Sequence, residues 1–451
     1  MSDIIAAIAT GRAPCAIGIL RLSGPGCAAL TGRVFTPKQP FADAPDRRLV
    51  LGLLHDRQGR VIDECLGVVC RAPHSYTGEE TVELQCHGSP AMLAAGLEAL
   101  LAAGARQAGP GEFTRRAFLN GKLDLTQAEA VVDLIDAETA DASANAAGQL
   151  GGALKRAIEP VYDGLTDLCS HFHAVLDYPD EDIEDFGAAE LSGALDRAGA
   201  ALQELLATYE KGRHLRQGVR AVLLGKPNAG KSSLLNRLAG YDRVIVTDIA
   251  GTTRDTVEEP VRVGRVLLRL TDTAGIREAG DAIEALGVAR SEQAAREAEL
   301  ALFVCDASQP LTDEDRRAIE AAKCAPRSLA LCNKSDLPAA VSPDELPFDT
   351  VLTVSARTGA GLDALPALLE GWFLGENDCD GSLLTNPRQF GALDRASRAI
   401  ARAKTGLGLG VTPDAVLTDV EEAMAALGEV TGRTVREDIT NRIFERFCVG
   451  K

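Results

Sequence analysis

The chain contains 451 residues, of which 46% are hydrophobic, and this length corresponds to about three domains with well-filled cores. Its formal net charge of −18 argues against a broad basic surface that grips nucleic acid indiscriminately. Eleven cysteines without a Cys-x-x-Cys pair indicate reduced thiols and a cytoplasmic protein. We expect neither secretion nor membrane insertion, because the sequence shows no signal-like N-terminus and no run of about 18 apolar residues.

The first part of the chain predicts an α/β unit followed by helices. Alternating apolar runs at 16–21 and 81–85 are punctuated by Gly and Pro, which is typical of strands and turns. From Gly121 an Ala-rich segment with apolar residues at helical spacing continues to about Leu215 and predicts a helical region.

The central part predicts a parallel sheet wrapped by helices, because short β-branched runs alternate there with helical segments. The predicted strands are 219–224, 266–270, 300–305, 329–332 and 350–354. After about Leu374 a helical pattern resumes, so we predict an α/β multidomain chain in which residues 218–375 are inserted into a helical domain. The helical domain comprises 118–217 and 376–451, and residues 1–117 form the N-terminal domain.

A P-loop follows the first strand of the inserted domain. It reads Gly225-Lys-Pro-Asn-Ala-Gly-Lys-Ser232 and precedes a helix-compatible segment, which is the context that this motif requires. Backbone N–H groups and the helix N-terminus can enclose phosphate oxygens, Lys231 supplies a positive charge, and Ser232 offers a hydroxyl to magnesium.

Three further groups follow other predicted strands and select the nucleotide. The Asp272-Thr-Ala-Gly275 segment can hold the metal through water and sense the γ-phosphate, and the carboxylate of Asp336 in Asn333-Lys-Ser-Asp can accept two hydrogen bonds from guanine but not from adenine. Backbone amides of Ser355-Ala-Arg357 can support the guanine oxygen. The predicted GTP-binding residues are Asn228, Ala229, Gly230, Lys231, Ser232, Ser233, Thr247, Asp248, Ile249, Ala250, Gly251, Thr252, Thr253, Asp272, Thr273, Ala274, Gly275, Asn333, Lys334, Asp336, Ser355, Ala356 and Arg357.

The group that orients the attacking water is not fixed by spacing. Ile276 follows Gly275, so the glutamine that many GTPases use is absent there. Glu278, Asp281 and Glu284 are alternatives, and each can equally be a solvated loop carboxylate. The polar loop 247–255 suits a switch whose Thr252 or Thr253 completes magnesium coordination, or it is a plain surface loop.

The chain resembles the MnmE (TrmE) family of tRNA-modification GTPases over its whole length. Besides the P-loop, the motifs that carry the resemblance are Thr247-Asp-Ile-Ala-Gly-Thr-Thr-Arg-Asp, Gly109-Pro-Gly-Glu-Phe-Thr-Arg-Arg-Ala-Phe-Leu-Asn-Gly-Lys-Leu-Asp-Leu, Tyr178-Pro-Asp-Glu-Asp and the terminal Phe447-Cys-Val-Gly-Lys. Ribosome-associated relatives share only the P-loop and the switch.

The resemblance implies a Ras-like GTPase domain that binds Mg²⁺ and is activated by K⁺. The residues that match K⁺ ligands are Asn228, Thr247, Ile249 and Thr252, and those assigned to Mg²⁺ are Ser232 and Thr253. A monovalent cation beside the phosphates can replace the charge of an arginine finger. Glu284 matches the position that orients the attacking water, which favours it over the other two carboxylates.

For the N-terminal domain, the resemblance implies dimerisation and a site for 5-formyl-tetrahydrofolate or a related one-carbon folate. The residues that match this site are Arg21, Glu83, Lys122 and Lys451, and each by itself can equally be an ordinary surface or strand residue. Cys448 matches a cysteine near the folate, for which the resemblance implies a catalytic role in the modification chemistry, with a buried structural thiol as the alternative. The segments Ala13-Pro-Cys15 and Cys86-His-Gly-Ser89 depart from the family pattern, which leaves pocket detail open.

The function implied by the resemblance is tRNA modification. A homodimer would act with an FAD-containing MnmG partner on tRNA, adding a carboxymethylaminomethyl or aminomethyl group at C5 of the wobble uridine. Two alternatives stay open at this point. A ribosome-assembly GTPase predicts a basic RNA-binding appendage that this acidic chain does not display, and a GTP-dependent scaffold predicts no part in the chemistry.

Overall fold

The structure is a computed structural model that describes residues 3–11, 13–37, 40–177, 188–241, 258–272, 284–375, 380–434, 443–445 and 447–450. The chain separates into two compact units. The first consists of Met1–Val132, Gln149–Ala198 and Arg395–Lys451. The second consists of Asp133–Gly148 and Gly199–Asp394.

Within the described residues, strands occur in two stretches of the chain, 5–107 and 219–353. The strands are β1 (Ile5–Ile8), β2 (Cys15–Ser23), β3 (Phe35–Pro37), β4 (Val50–His55), β5 (Val61–Cys70), β6 (Thr81–Gly88), β7 (Arg106–Gln107), β8 (Val219–Leu224), β9 (Glu258–Val263), β10 (Val266–Asp272), β11 (Leu300–Asp306), β12 (Arg327–Asn333) and β13 (Val351–Thr353). The helices are α1 (Cys27–Thr31), α2 (Pro90–Ala102), α3 (Glu112–Leu119), α4 (Leu125–Ile135), α5 (Ala140–Leu150), α6 (Ala153–Asp177), α7 (Ala188–Ala207), α8 (Tyr209–Gln217), α9 (Lys231–Tyr241), α10 (Glu284–Glu297), α11 (Asp313–Ala322), α12 (Ala364–Phe373), α13 (Pro387–Gly408) and α14 (Pro413–Thr431).

The first unit contains a mostly antiparallel sheet in the order β3-β4-β5-β6-β2-β1-β7. Alternate residues of β2 and β6 are buried, as the period-two pattern of their sequences predicts. Leu20 and Leu84, both fully buried, belong to the core that α2 covers. The register places Arg21 directly opposite Glu83, so two predicted folate residues, 62 positions apart in the chain, become neighbours.

The first unit also joins helices from two distant chain segments. The Sγ of Cys169 on α6 lies 3.4 Å from the Sδ of Met424 on α14. Arg433, just after α14, pairs with Glu159 at 3.0 Å and lies 4.5 Å from the ring centroid of Tyr162. These contacts join a helix that precedes the inserted segment to one that follows it.

The second unit contains a six-stranded sheet in the order β13-β12-β11-β8-β10-β9. Five strands are parallel, and their near-continuous apolar sequences suit strands that are covered on both faces. The five predicted strands are these parallel ones, and the sequence missed only β9, which pairs antiparallel with β10 through a two-residue connection. At the end of β9, buried Val261 and Val263 flank the half-buried Arg262, which is the pattern of an edge strand that faces water on one side.

The predicted GTPase segment 218–375 lies within the second unit, which also includes flanking residues on both sides. The three-domain boundaries therefore stay a prediction. Within the described ranges, no helix combines the length and the apolar character that crossing a bilayer requires.

An ion-pair cluster joins α8 to the start of β11 in the second unit. Glu299 accepts hydrogen bonds from His214 at 3.0 Å and Arg213 at 2.5 Å. Burial would raise the pKa of Glu299, but hydrogen bonds from His214 and Arg213 outweigh it and lower the pKa to about 2. Because the folded pKa lies below the ordinary value of 4.5, the stabilisation is present above about pH 4.5 and disappears as the pH falls towards 2.

We predict that Glu299→Gln lowers the free energy of unfolding of the second unit by about 1–3 kcal/mol at pH 7. Calorimetric unfolding at several pH values measures this free energy. The difference in free energy of unfolding between variant and wild type should narrow from pH 4.5 towards pH 3. Glu320→Gln is the control, because Glu320 is 72% exposed and its ion pair with Lys323 is solvated. Equal stability of wild type and Glu299→Gln at pH 7 would contradict the assignment.

Candidate functional site

The P-loop lies between the buried end of β8 and the start of α9 and has the backbone shape that encloses a phosphate. Gly225 and Gly230 have φ values of +145° and +96°, which L side chains rarely adopt. A Cβ at Gly230 would lie 2.2 Å from Nδ2 of Asn333, and one at Gly225 would lie 2.1 Å from the carbonyl oxygen of Val304. Both glycines are therefore required by close packing as well as by conformation.

The two P-loop side chains predicted to contact phosphate and metal are in suitable positions. Lys231 is 9% exposed, and its Nζ donates to the carbonyl oxygens of Gly225 at 2.7 Å and Lys226 at 2.9 Å. Its ammonium thus spans the loop that would hold a phosphate chain. Ser232 and Ser233 are exposed in the first turn of α9, where a hydroxyl can reach a metal ion bound to that phosphate.

Asn333 connects the P-loop to the 355–357 segment. Its Nδ2 donates to the carbonyl oxygen of Ala229 at 2.9 Å, and its Oδ1 accepts from the backbone N–H of Ala356 at 2.9 Å. The side chain is 2% exposed. Three of the predicted nucleotide-binding groups are therefore held together by one buried amide.

Asp336 is poised as a hydrogen-bond acceptor. One carboxylate oxygen accepts from the hydroxyl of Ser355, and the other accepts from Nε and Nη2 of Arg357 at 2.9 and 2.7 Å. These hydrogen bonds, that of Ser355 first, lower the pKa of Asp336. The carboxylate is therefore ionised at neutral pH, as recognition of two guanine N–H groups requires.

The structure adds residues that the sequence did not predict. Asp306 ends β11 and accepts a hydrogen bond from Lys334 at 2.6 Å. Burial would raise its pKa, but hydrogen bonds from Lys334 and Ser308 outweigh burial and lower it. Its place at the carboxyl end of a predicted parallel strand was the available signal.

A second ion pair that the sequence did not predict joins the P-loop to α11. Nζ of Lys226 pairs at 2.9 Å with Asp315, a fully buried residue that also caps α11. A cavity of about 520 Å³ lies beside these groups. It is lined by Lys226, Pro227, Asn228, Asp306, Gln309, Thr312, Asp313, Glu314 and Lys334.

Several predicted residues lie outside the described residues. They are Thr247, Asp248, Ile249, Ala250, Gly251, Thr252, Thr253, Thr273, Ala274, Gly275 and Lys451. The backbone of Asp272 ends β10, and Glu284 is the first residue of α10. The side chains of these two residues also lie outside the described part of the chain.

Two of the predicted folate residues, Arg21 and Glu83, form a second cluster, in the first unit. Nε of Arg21 donates to Oε1 of Glu83 at 2.8 Å, and its Nη1 donates to the carbonyl oxygen of Gly450 at 3.3 Å. The guanidinium carbon lies 5.7 Å from the ring centroid of Tyr76 and 5.8 Å from that of Phe113. Two aromatic faces thus flank the ion pair, and neither was predicted from the sequence.

Lys122 and Cys448 occupy exposed positions of the same unit. Nζ of Lys122 donates to the carbonyl oxygen of Pro73 at 3.2 Å. Cys448 is exposed, so the alternative of a buried structural thiol was wrong. Its carbonyl oxygen accepts from the N–H of Gly111, and the next residue forms a bridge with Pro110, which fixes the backbone of the tail beside the N-terminal domain.

We predict that Asp336→Asn weakens GTP binding by more than about 100-fold, since it replaces an acceptor of two charge-assisted hydrogen bonds, each contributing about 1.5–3 kcal/mol. Binding of xanthosine triphosphate should improve, because its C2 oxygen can accept from the new amide. Calorimetric titration measures both affinities. Glu320→Gln is the control, because Glu320 is a carboxylate of the same unit that is 72% exposed and belongs to none of the nucleotide motifs. Unchanged selectivity in Asp336→Asn would contradict the assignment.

Two family models match the chain. The MnmE helical domain matches residues 125–448, and the N-terminus of the GTP-binding protein TrmE matches residues 4–122. Together they confirm the predicted multidomain α/β fold class.

Known proteins are similar to this chain over its full length. A protein from Roseiflexus sp. (strain RS-1) described as tRNA modification GTPase MnmE is 45% identical over 465 residues, covering 100% of this chain and 99% of that protein. The one from Aquifex aeolicus (strain VF5) is 41% identical over 452 residues, with 100% of both chains covered. Among solved structures, the G domain of the T. maritima FeoB iron transporter is 22% identical, covers 33% of this chain and 94% of that chain, and has a TM-score of 0.25.

A shared P-loop alone would not give sequence identities of 45% and 41% over the full length of the chain. Both family models point to the same family as these two relatives. A tRNA modification GTPase is therefore favoured over the ribosome-assembly alternative. The chain belongs to the MnmE family of tRNA modification GTPases.

Proposed function

We propose that this GTPase couples K⁺-activated GTP hydrolysis to addition of a carboxymethylaminomethyl or aminomethyl group at C5 of the wobble uridine of certain tRNAs. A one-carbon folate supplies a carbon, an FAD-containing MnmG protein is the partner, and the reaction takes place in the cytoplasm. The ten cysteines of the described residues are free thiols, which suits a reducing compartment. The arrangement around Arg21 is the observation that carries the chemical part of the proposal.

The P-loop supports the K⁺ part of the proposal at Asn228. This residue has a φ of +62°, a conformation that asparagine tolerates better than most residues, and it lines the cavity beside Lys226. An amide oxygen suits a hard cation. We propose that Asn228, Thr247, Ile249 and Thr252 hold K⁺.

The remaining GTPase assignments are also proposals. Ser232 and Thr253 would hold Mg²⁺, and Glu284 would orient the attacking water. When bound, the two cations supply positive charge at the phosphates. The protein's own part is to position Lys231 and the P-loop amides around the phosphate chain.

We predict that K⁺ stimulates GTP hydrolysis at least about tenfold over Na⁺ at equal ionic strength, a difference of about 1.4 kcal/mol in barrier height. Asn228→Gly should abolish this stimulation, because it deletes the amide oxygen while glycine still accepts a positive φ. Release of phosphate in the two buffers measures both effects.

The control for this variant is nucleotide affinity. GDP binding by Asn228→Gly should stay within about threefold of wild type, since backbone N–H groups provide most phosphate contacts. Equal hydrolysis rates of the wild type in K⁺ and Na⁺ would reject K⁺ activation and leave GTP binding intact.

The first unit supports the folate part through charge and shape. Glu83 offers a carboxylate that can accept hydrogen bonds from a pterin edge, and Arg21 offers a guanidinium to an anionic or formyl oxygen. Their side chains are 29% and 19% exposed, so a ligand can reach them. Tyr76, which is 39% exposed, can stack on a flat ring.

The proposed homodimer is supported by an apolar face on the first sheet. Leu51 and Leu53 of β4 alternate with buried residues and are 52% and 37% exposed, and Leu49 and Val61 beside them are 50% and 55% exposed. A single exposed leucine is ordinary, but neighbouring ones on one sheet face suit a protein partner. We propose that a second copy of the chain covers them.

A scaffold role is distinguished from a chemical one by two substitutions. We predict that Arg21→Ala and Cys448→Ser each reduce C5 modification of tRNA by at least about tenfold, which corresponds to loss of roughly one charged or nucleophilic contact. Mass spectrometry of tRNA nucleosides, after complementation of a strain that lacks the protein, measures modification. Each variant should keep the wild-type rate of GTP hydrolysis.

Matched controls come from the same unit. Arg33→Ala removes another arginine, whose Nη1 donates to the carbonyl oxygen of Ala103, and Cys15→Ser removes another exposed thiol. Both should modify tRNA normally. Normal modification by Arg21→Ala and Cys448→Ser together would favour the scaffold role.

A further inference from the structure

Two cysteines and an aspartate meet where β5 and β6 pair in the first unit. Asp63 and Cys65 are two residues apart on β5 and therefore project from the same face of the sheet. The register pairs Leu66 with Gln85, so the next position along the ladder brings Cys65 opposite Cys86. One oxygen of Asp63 and the two Sγ atoms all lie within 4.8 Å of one another.

These groups are enclosed rather than solvated. Cys65 and Cys86 are each 3% exposed, and the Asp63 side chain is 7% exposed. His87 holds the Asp63 carboxylate in place through both of its oxygens. The backbone N–H of His87 donates to Oδ2 at 2.8 Å, and Nδ1 of the imidazole lies 2.7 Å from Oδ1. The imidazole is 80% exposed, so its outer side faces water.

The donor set and spacing match a particular class of cation. Zinc binds thiolate sulfur at about 2.3 Å and carboxylate oxygen at about 2.0–2.2 Å in a tetrahedron, which separates two sulfur ligands by about 3.8 Å. Side-chain rotations bring donors that start within 4.8 Å to that separation. Calcium and magnesium prefer oxygen ligands and do not suit two sulfurs.

A second pair of cysteines shows what is special about this cluster. Cys305 and Cys332 also lie on adjacent strands, with their sulfurs 3.9 Å apart and both side chains about 1% exposed. Within the described residues, no carboxylate or imidazole joins them at the spacing found around Asp63. That pair is explained by core packing alone.

We propose that Asp63, Cys65 and Cys86 form a binding site for a thiophilic divalent cation of the zinc class. The three side chains are the protein ligands, water takes the fourth position, and His87 hydrogen-bonds to the Asp63 ligand and orients it. Both thiols lose a proton when the cation binds, so two protons are released per cation. The cation links β5 to β6 on the face of the sheet opposite to Glu83.

The test uses the full-length protein, freed of metal and kept reduced with a phosphine, and Co²⁺ as the spectroscopic probe. We expect one Co²⁺ per chain with a sulfur-to-cobalt charge-transfer band, release of two protons, and displacement by Zn²⁺. Cys86→Ser should weaken binding by more than about 100-fold, beyond the 10–100-fold typical for loss of an outer partner, and His87→Ala should fall within that smaller range.

The control is Cys332→Ala, which removes one thiol of the other buried pair and should bind Co²⁺ as the wild type does. If Cys86→Ser fails to fold, as judged by its melting temperature without metal, Asp63→Asn replaces it. The proposal is overturned if the wild type shows no thiolate band. It is equally overturned if Cys86→Ser or Asp63→Asn retains wild-type affinity, or if Cys332→Ala loses the band.

Discussion

The nucleotide site depends on the buried side-chain amide of Asn333. Its donor and acceptor are both used, one on Ala229 of the P-loop and one on Ala356. A buried amide left without partners costs about 1–3 kcal/mol per group, so the two loops can hardly move apart independently. The same amide makes a side chain at Gly230 impossible. One residue thereby fixes the distance between the phosphate end and the base end of the site.

Much of the sheet in the second unit, and the place of the nucleotide motifs on it, could be predicted from the sequence. The apolar runs predicted β8 with the same bounds and β11 and β12 within two residues, because strands covered on both faces must be apolar throughout. Parallel strands bring their carboxyl ends to one edge, so the order of motifs was enough to place them together. The Lys226 pair with Asp315 was missed, since it depends on a tertiary contact that no local pattern encodes. The β9 edge strand and Asp306 were also missed, although the alternation of Val261, Arg262 and Val263 and the end of β11 were local signals for them.

The first unit was harder to predict for the same reason. Arg21 and Glu83 are ordinary strand residues by composition, and only the register of β2 against β6 makes them partners. Tyr76 and Phe113 reach Arg21 from a loop and a helix, and Gly450 reaches it from more than 400 residues away in the chain. Spacing carries no information about such contacts. The family resemblance pointed to Arg21, Glu83 and Lys122, but not to the aromatic rings.

Two arginines of that unit show how a structural charge differs from one that a ligand can use. Arg116 is 11% exposed and is bound by Asp3, Glu79 and Glu112 at 2.7–3.2 Å. Burial would lower its pKa, yet these carboxylates outweigh burial and raise it, so every partner that Arg116 needs is already in the fold. Among the described residues, Arg21 contacts the carboxylate of Glu83, the carbonyl oxygen of Gly450 and two aromatic faces. A flat anionic ligand can add to that arrangement without breaking a network, because the guanidinium has five donors and stacks on rings as readily as it forms ion pairs.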